Sequence, residues 1–247
     1  GIASRGLGDV YKRQVFTLGS PCIPASKGTG FYCSPNPMPN NQIFNITMNK
    51  SLSLDISAIR VGKIKLLANA HLPGTDLTGA MLPEADFYQA HLLGVNFAGA
   101  NLQKAKLRAN LRGADFTGAD LRGADFRNAD LRGAILIDAQ VREASFAGAF
   151  LNGAIFNDLD LSGIDFRGAD LRGVNLTRAN LFRAELSNAN LSGADLFEAN
   201  LEEANLSGAV LRGTNLQRAN LLCALVEQAD LTGTLLAGAC LRGTPLD

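Results

Sequence analysis

This 247-residue chain is poor in histidine and cysteine and has no long apolar run. It has only two histidines and four cysteines. The sequence shows no nucleophile and base at a catalytic spacing, no set of metal ligands and no phosphate-binding loop. No apolar run approaches the roughly 20 residues of a membrane helix. The sequence therefore predicts no enzyme, no cofactor, no metal site and no membrane span.

An excess of charge of one sign is missing as well. The formal net charge is zero, although residues 1 to 69 hold 8 Lys and Arg against 2 Asp and Glu, and residues 70 to 247 hold 15 against 21. Neither block contains the run of like charge that is typical of a nucleic-acid-binding tail. We therefore expect a protein as the partner, and no nucleic acid.

What the sequence does have is one five-residue repeat, present in 36 copies over residues 70 to 247. We call the large apolar residue of each copy position i; it is Leu in 27 copies, Phe in 7 and Val in 2, and position i−2 is Ala in 28. Side chains two apart lie on one side of an extended segment. Positions i−2 and i are therefore predicted to face inward, and i−1, usually Asp or Asn, outward. Glycine is frequent at i+2, where a tight corner is expected, and a short fixed period is typical of a solenoid.

The order Ala, Asp or Asn, Leu or Phe, then two variable residues, as in Ala119-Asp120-Leu121-Arg122-Gly123, resembles the pentapeptide-repeat family. The match covers about three quarters of the chain. The resemblance implies an all-β fold, a right-handed quadrilateral β-helix in which four copies make one coil, with about nine coils. At about 4.8 Å between coils the rod would be roughly 40 to 45 Å long.

The charge pattern gives modest independent support for coils of twenty residues. Arg178, Glu198 and Arg218 share position i+2 at intervals of twenty, and so do Arg183 and Glu203. In square coils these residues would stack with alternating sign. A triangular coil would not align them.

One interruption breaks the period. The copy that begins at Ala105 is one residue short, so Leu107 and Leu111 are four residues apart. We expect the missing corner residue to be absorbed as a local kink or a tightened turn. From Ala109 onward, 28 copies follow without an inserted loop.

The N-terminal residues begin with a segment that we exclude from the fold. Residues 9 to 14 resemble the translated read-through of a sequencing adapter, and we interpret residues 1 to 14 as a non-native leader. The alternative is an ordinary polar leader. The first interpretation would make the sequence a metagenomic fragment whose native start is lost.

Residues 15 to 69 are predicted to form a small loop and β cap over the first coil, because a terminal unit must shield the open core of a solenoid. Residues 15 to 42 carry five of the eight prolines and predict loop. Residues 43 to 56 alternate apolar and polar side chains, as in a strand or hairpin. Residues 58 to 69 fit either a strand or a helical turn.

The cysteines and histidines each allow two interpretations. Cys22 and Cys33 could form a disulfide, which would indicate export, or be two unrelated thiols in a cytoplasmic protein, the location we favour. His71 and His91 share position i−1 twenty residues apart and should stack. Zinc usually takes four ligands, and the next residue in that column is Asn110, so we prefer an exposed imidazole pair to a metal site.

Eleven Asp residues occupy position i−1. Paired catalytic carboxylates would be one interpretation of so many acids. A general acid needs a cleft and a perturbed pKa, however, and a position that recurs along a convex rod predicts solvated surface instead.

Four apolar residues stand at outward positions where the repeat normally has Asp, Arg or Asn. They are Ile135, Ile137, Phe150 and Ile155, and we call them the central patch. A contiguous exposed apolar patch often marks a partner site. Local packing by a loop, such as residues 15 to 42, is the alternative.

The C-terminal end of the rod is predicted to be adhesive. The repeat stays in phase through Leu246, and an uncovered coil leaves backbone groups unpaired. Apolar residues near this end are Leu222, Leu225, Leu235, Cys240 and Leu246. We expect end-to-end homodimers, or aggregation if this terminus results from truncation.

Two functions remain after an enzyme is set aside. The first is a non-catalytic scaffold that binds a protein. The second comes from the resemblance, because some pentapeptide-repeat proteins imitate duplex DNA and protect topoisomerase from quinolones. A mimic should be strongly acidic to reproduce closely spaced phosphates, and 13 Arg are interspersed among the repeats. We therefore rank the scaffold first and the topoisomerase-binding DNA mimic second.

Overall fold

The computed structural model describes the backbone of residues 22–24 and 31–33 and all of residues 54–247. These parts belong to two units, residues 1–53 and 54–247, which are described separately. The predicted leader, residues 1 to 14, and most of the predicted strand over residues 43 to 56 lie outside the described residues.

The first unit contains a short antiparallel pair, β1 (Cys22–Pro24) and β2 (Phe31–Cys33). The prediction of loop over these residues was therefore wrong for both strands. Pro24 is the last residue of β1, a position where proline does not interrupt a central ladder. The register places Cys22 opposite Cys33. A disulfide between them stays a prediction, since their side chains lie outside the described residues.

The second unit begins with one turn of helix, α1 (Ile56–Arg60). Asp55 caps it, because its carboxylate accepts the N–H of Ala58 at 3.0 Å. The strand predicted to run through Ile56 is thus replaced there by a helix start. Ile59 is fully buried, and the carbonyl of Arg60 accepts the N–H of Met81 at 2.8 Å. The helix therefore covers part of the first coil.

Below α1 the chain winds into coils joined by parallel single-residue bridges. Most bridges connect positions i−1 that are twenty residues apart, such as Asn175 with Asp195 and Asn180 with Asn200, so four copies make one coil. The first bridge joins Leu66 to Asp86. The coil therefore starts one copy before Ala70, with Leu67 at position i, in part of the segment that the sequence left as strand or helical turn.

Two kinds of hydrogen bond hold each coil. Between coils, the N–H of Leu176 donates to the carbonyl of Asp195 at 2.8 Å; within a coil, the N–H of Ala179 donates to the carbonyl of Leu176 at 3.0 Å and closes the corner. Position i+2 at the corner has positive φ both in Gly173 (62°) and in Arg178 (55°). This left-handed conformation is the physical reason for frequent glycine there.

Positions i and i−2 form one continuous core, and they are buried from Leu77 to Val226. Phenylalanines on two opposite faces meet in its centre: Phe126 and Phe146 stack in adjacent coils at 4.8 Å, and Phe146 meets Phe156 edge to face at 5.7 Å. Such aromatic pairs add roughly 0.5–1.5 kcal/mol beyond their buried area. The expectation of full burial fails in the last coil, where Leu231, for example, is only partly buried because no described residue covers it.

The shortened copy is absorbed as a tightened turn, one of the two outcomes that the sequence predicted. The N–H of Ala109 donates to the carbonyl of Leu107 at 2.8 Å, and the adjacent bridges span nineteen residues, as from His91 to Asn110. A regular corner would supply an i+2 N–H to the carbonyl of Arg127. The side chain of Arg108 replaces it, with Nε at 3.2 Å from that oxygen.

The inward position of Leu176 can be tested with a charge. Changing Leu176→Asp would place an unpaired carboxylate in a dry core, and we expect a loss of at least about 3 kcal/mol in the free energy of unfolding. Urea denaturation followed by circular dichroism measures it. The control is Asn175→Asp, which introduces the commonest residue at the outward position i−1. It should shift the free energy of unfolding by less than about 0.5 kcal/mol. Equal midpoints for both variants would contradict the assignment of position i.

Candidate functional site

The acidic residues on the faces of the rod are extensively paired with arginine. In the sequence Asp-Leu-Arg or Asp-Phe-Arg, the guanidinium folds back onto the carboxylate two residues earlier. Asp120 and Arg122 are 2.7 Å apart, and Asp165 and Arg167 are 2.9 Å apart. Mainly through the Arg122 hydrogen bond, the pKa of Asp120 falls to about 2. These carboxylates stay ionised and are locally neutralised, which does not suit a general acid.

Other ion pairs run between coils and only partly follow the predicted columns. Arg183 contacts Glu203 at 2.6 Å and Arg218 contacts Glu198 at 2.9 Å, as expected from stacking at intervals of twenty. Arg178, however, bonds to Asp158 at 2.6 Å in the preceding coil. Arg178 lies between Asp158 in the preceding coil and Glu198 in the following coil, and its guanidinium pairs with Asp158.

The two histidines stack as the sequence predicted. The rings of His71 and His91 lie 5.6 Å apart with a tilt of 49°. Below them in the column is Asn110. Within the described residues, no group of three or more His, Cys, Asp and Glu is arranged to hold a metal. Cys223 and Cys240 are separate thiols.

The central patch comes together on two adjoining faces. Ile135 is bridged directly to Ile155, and both side chains are partly buried. Ile137 follows on the same face and is 36% exposed, while Phe150, five residues before Ile155 in the same coil, is 49% exposed. Asn152 and Gly153 lie at the corner between Phe150 and Ile155. The structure thus brings Ile135 and Ile155 together, and Ile137 and Phe150 are the more exposed members of the patch.

A hollow that the sequence analysis did not identify adjoins this patch. Its volume is about 370 Å³, and it lies at the shortened corner. Its lining includes Gln89, His91, Arg108, Asn110, Asn128, Asp130, Arg132 and Phe150. The missing residue before Ala109 was the signal in the sequence, because a coil with one corner residue fewer recedes from the surface set by its neighbours.

The C-terminal end presents an open cross-section in the described structure. The backbone N–H groups of Leu231, Leu236 and Leu241 make no hydrogen bond within residues 54–247. Leu225 and Leu235 are 48% and 51% exposed beside them. Of the other residues predicted at this end, Leu222 and Cys240 are partly buried and Leu246 is exposed.

Among the described residues, no helix is long and apolar enough to cross a membrane.

A comparison with curated proteins gave no match. Solved structures that resemble the chain include three with TM-scores of 0.43 or lower. HetL, a pentapeptide repeat protein involved in heterocyst differentiation regulation in the cyanobacterium Nostoc sp. strain PCC 7120, is 36% identical, with 76% of this chain and 92% of HetL covered and a TM-score of 0.43.

Two further structures are more distant. A trypsin-treated form of QnrB1, a plasmid-mediated fluoroquinolone resistance protein, is 22% identical over 72% of this chain and 75% of its own, with a TM-score of 0.42. A pentapeptide repeat protein from the Arabidopsis thaliana thylakoid lumen is 34% identical over 45% of this chain and 63% of its own, with a TM-score of 0.27. The family model for pentapeptide repeats matches in overlapping segments from residue 66 to residue 247. The chain therefore belongs to the pentapeptide-repeat family.

Proposed function

We propose that this protein is a non-catalytic scaffold that binds another protein through the central patch. The observation that supports this most directly is the exposure of Phe150 and Ile137 at positions where most copies of the repeat have polar side chains. Exposed apolar surface of this kind is stabilised when a partner covers it. The scaffold is proposed to be a right-handed square rod of about nine coils, roughly 40 to 45 Å long.

The paired carboxylates also favour a scaffold over an enzyme. More than half of the aspartates at position i−1 are bonded to arginine, as in Asp125 with Arg127 at 2.7 Å and Asp170 with Arg172 at 2.6 Å. The hydrogen bond from the arginine lowers the pKa of each aspartate. General acid or base catalysis at neutral pH is most efficient with a pKa near the working pH.

The central patch is tested by replacing Ile135, Ile137 and Ile155 together with Asn, a residue that the repeat accepts at outward positions. We expect the triple variant to fold as the parent does and to lose at least 90% of its partner captured from lysate, roughly a tenfold loss or about 1.4 kcal/mol. Quantitative mass spectrometry of captured proteins measures it. Val210→Asn, an outward position three coils below Phe150, is the control. Retention of every partner by the triple variant would show that the patch is ordinary surface.

The second candidate, a DNA mimic that binds topoisomerase, is suggested by the family alone. A mimic must present uncompensated negative charge at regular spacing. Here Asp130 is bonded to Arg132 at 2.6 Å and Asp230 to Arg212 in the adjoining coil, so acidic positions on one face are neutralised at short range. This pairing disfavours the mimic.

A supercoiling assay with gyrase separates the two candidates. We expect that a stoichiometric excess of the protein leaves the rate of supercoiling unchanged and does not restore it in the presence of a quinolone. Inhibition by quinolone alone shows that the assay responds. Clear inhibition by the protein that weakens steeply with salt would reverse the ranking of the two functions.

We also propose that residues 1–247 self-associate through the C-terminal end of the rod. The unpaired N–H groups of Leu231 and Leu236 and the exposed side chain of Leu235 provide a backbone edge and apolar surface together. An exposed edge of this kind is a template for pairing with another chain. Two such ends placed face to face would bury both.

Light scattering across a concentration series tests this association. We expect mass to rise toward that of a dimer with concentration, and Leu235→Asn to weaken the association about fivefold or more, because one apolar side chain leaves the interface. Ile155→Asn, in the same column but at mid-rod, is the control and should behave as the parent. A monomer at every concentration, in parent and variant alike, would rule out association through this end.

A further inference from the structure

The hollow at the shortened corner differs from the rest of the surface because the backbone recedes there. The coil that contains Arg108 lacks its i+2 residue, whereas the neighbouring corners keep theirs, Gln89 above and Asn128 below, both at positive φ. Ala109 at the bottom is 7% exposed, against 1% for Ala90 and none for Ala129 in the same column. The volume of about 370 Å³ is within the range of ligand-binding clefts.

Arg108 is a cation that is held in place without an ion pair in the part of the chain that the structure describes. It is partly buried, whereas the other arginines between residues 54 and 247 are exposed. Its Nε donates to the carbonyl of Arg127 at 3.2 Å, and its guanidinium carbon lies 5.7 Å from the centre of the Tyr88 ring. Within the described residues its two terminal nitrogens make no hydrogen bond or ion pair. The nearby carboxylate of Asp125 is already bonded to Arg127. An arginine fixed in this way loses little entropy when it binds a carboxylate.

The remaining lining completes a mixed polar and apolar site. Asp130 is bonded to Arg132 through two guanidinium nitrogens at 2.6 and 2.8 Å and contributes no free charge. The side chains of Gln89, His91 and Asn128 make no hydrogen bond to other residues of the described structure, so they are available to a ligand. Phe150, 49% exposed, provides the apolar part and belongs to the central patch as well.

We propose that this hollow binds an acidic peptide segment of the protein partner, with an Asp or Glu side chain on Arg108 and a neighbouring apolar side chain on Phe150. A planar guanidinium fork matches a carboxylate in a bidentate pair. A single unpaired arginine beside Asp130 suits one negative charge better than the double charge of a phosphate. The inference rests on the proposed function, since it specifies the chemistry of the segment that reaches the central patch.

A library of random decapeptides displayed on phage and selected on the immobilised 247-residue protein provides the probe. We expect enriched sequences to carry Asp or Glu within a few residues of a large apolar side chain. A synthetic peptide of the most enriched sequence is then titrated by fluorescence anisotropy. Its affinity should fall about tenfold or more when the acidic residue is replaced by its amide, because a charge-assisted hydrogen bond is lost. This peptide arm does not depend on the folding of any protein variant.

Protein variants locate the peptide on the rod. Arg108→Gln and Phe150→Asn should each weaken binding about tenfold or more. Arg167→Gln and Val210→Asn change the corresponding outward positions in other coils and should leave the affinity within about twofold of the parent. Circular dichroism establishes that Arg108→Gln is folded, and Arg108→Lys, which keeps the charge without the fork, should give an intermediate affinity.

Several outcomes would overturn the inference. These are selection of basic or purely apolar peptides, selection of no sequence at all, and equal weakening by Arg167→Gln and Arg108→Gln. The scaffold proposal fails separately. If the triple isoleucine variant loses its partner while Arg108→Gln keeps it, the central patch binds the partner and the hollow does not. If acidic peptides bind the hollow while the triple variant keeps every partner, the hollow is a binding site and the central patch is not.

Discussion

The ladder of backbone hydrogen bonds between successive coils is the constraint on which the rest of this structure depends. Each coil donates to the next and accepts from it, as Leu196 donates to Asn215 at 2.8 Å and Asn215 donates to Ala194 at 3.0 Å. This ladder fixes the spacing of coils, and the spacing fixes which side chains meet in the interior. Only a small residue at i−2 and a large apolar one at i then fill the cross-section at high packing density. The recurrence of the same residue types at positions i−2 and i is thus a consequence of the hydrogen-bond ladder.

The same constraint makes a single missing residue consequential. A regular coil satisfies its neighbour's carbonyls through corner N–H groups, and removal of one corner leaves an acceptor without its donor, which is costly if water cannot replace it. Arg108 fills that role toward Arg127. Because the side chain is now held by the backbone, the defect produces both a recess and an ordered cation at its rim. In the regular coils, by contrast, most arginines pair with an acidic side chain, either two residues earlier, as Arg122 with Asp120, or in an adjoining coil, as Arg183 with Glu203.

Charge compensation on the faces explains how a chain rich in Asp can still lack a strong field. Pairs such as Asp120 with Arg122 form within one copy, and pairs such as Arg183 with Glu203 form between coils. Exposed pairs contribute little to stability, typically less than about 1 kcal/mol each. Their effect here is on recognition, because they remove the continuous negative surface that a DNA-like partner would require. Apolar side chains at a few outward positions then become the most distinctive surface.

The sequence by itself determined the repeat, the inward positions and the turn at Leu107, because these depend on local alternation and on the count of residues in one copy. It also identified Ile135 and Phe150, which depart from the pattern. Other features were decided only by tertiary structure. Helix α1 and strands β1 and β2 lie where the chain has no period to follow. Three features depend on which coil stacks above or below. They are the pairing of Arg178 with Asp158, the hydrogen bond from Arg108 to a backbone carbonyl, and the partial exposure of Leu231. Such contacts join residues about twenty positions apart, and their geometry is set by the stacking of whole coils, which no five-residue pattern encodes.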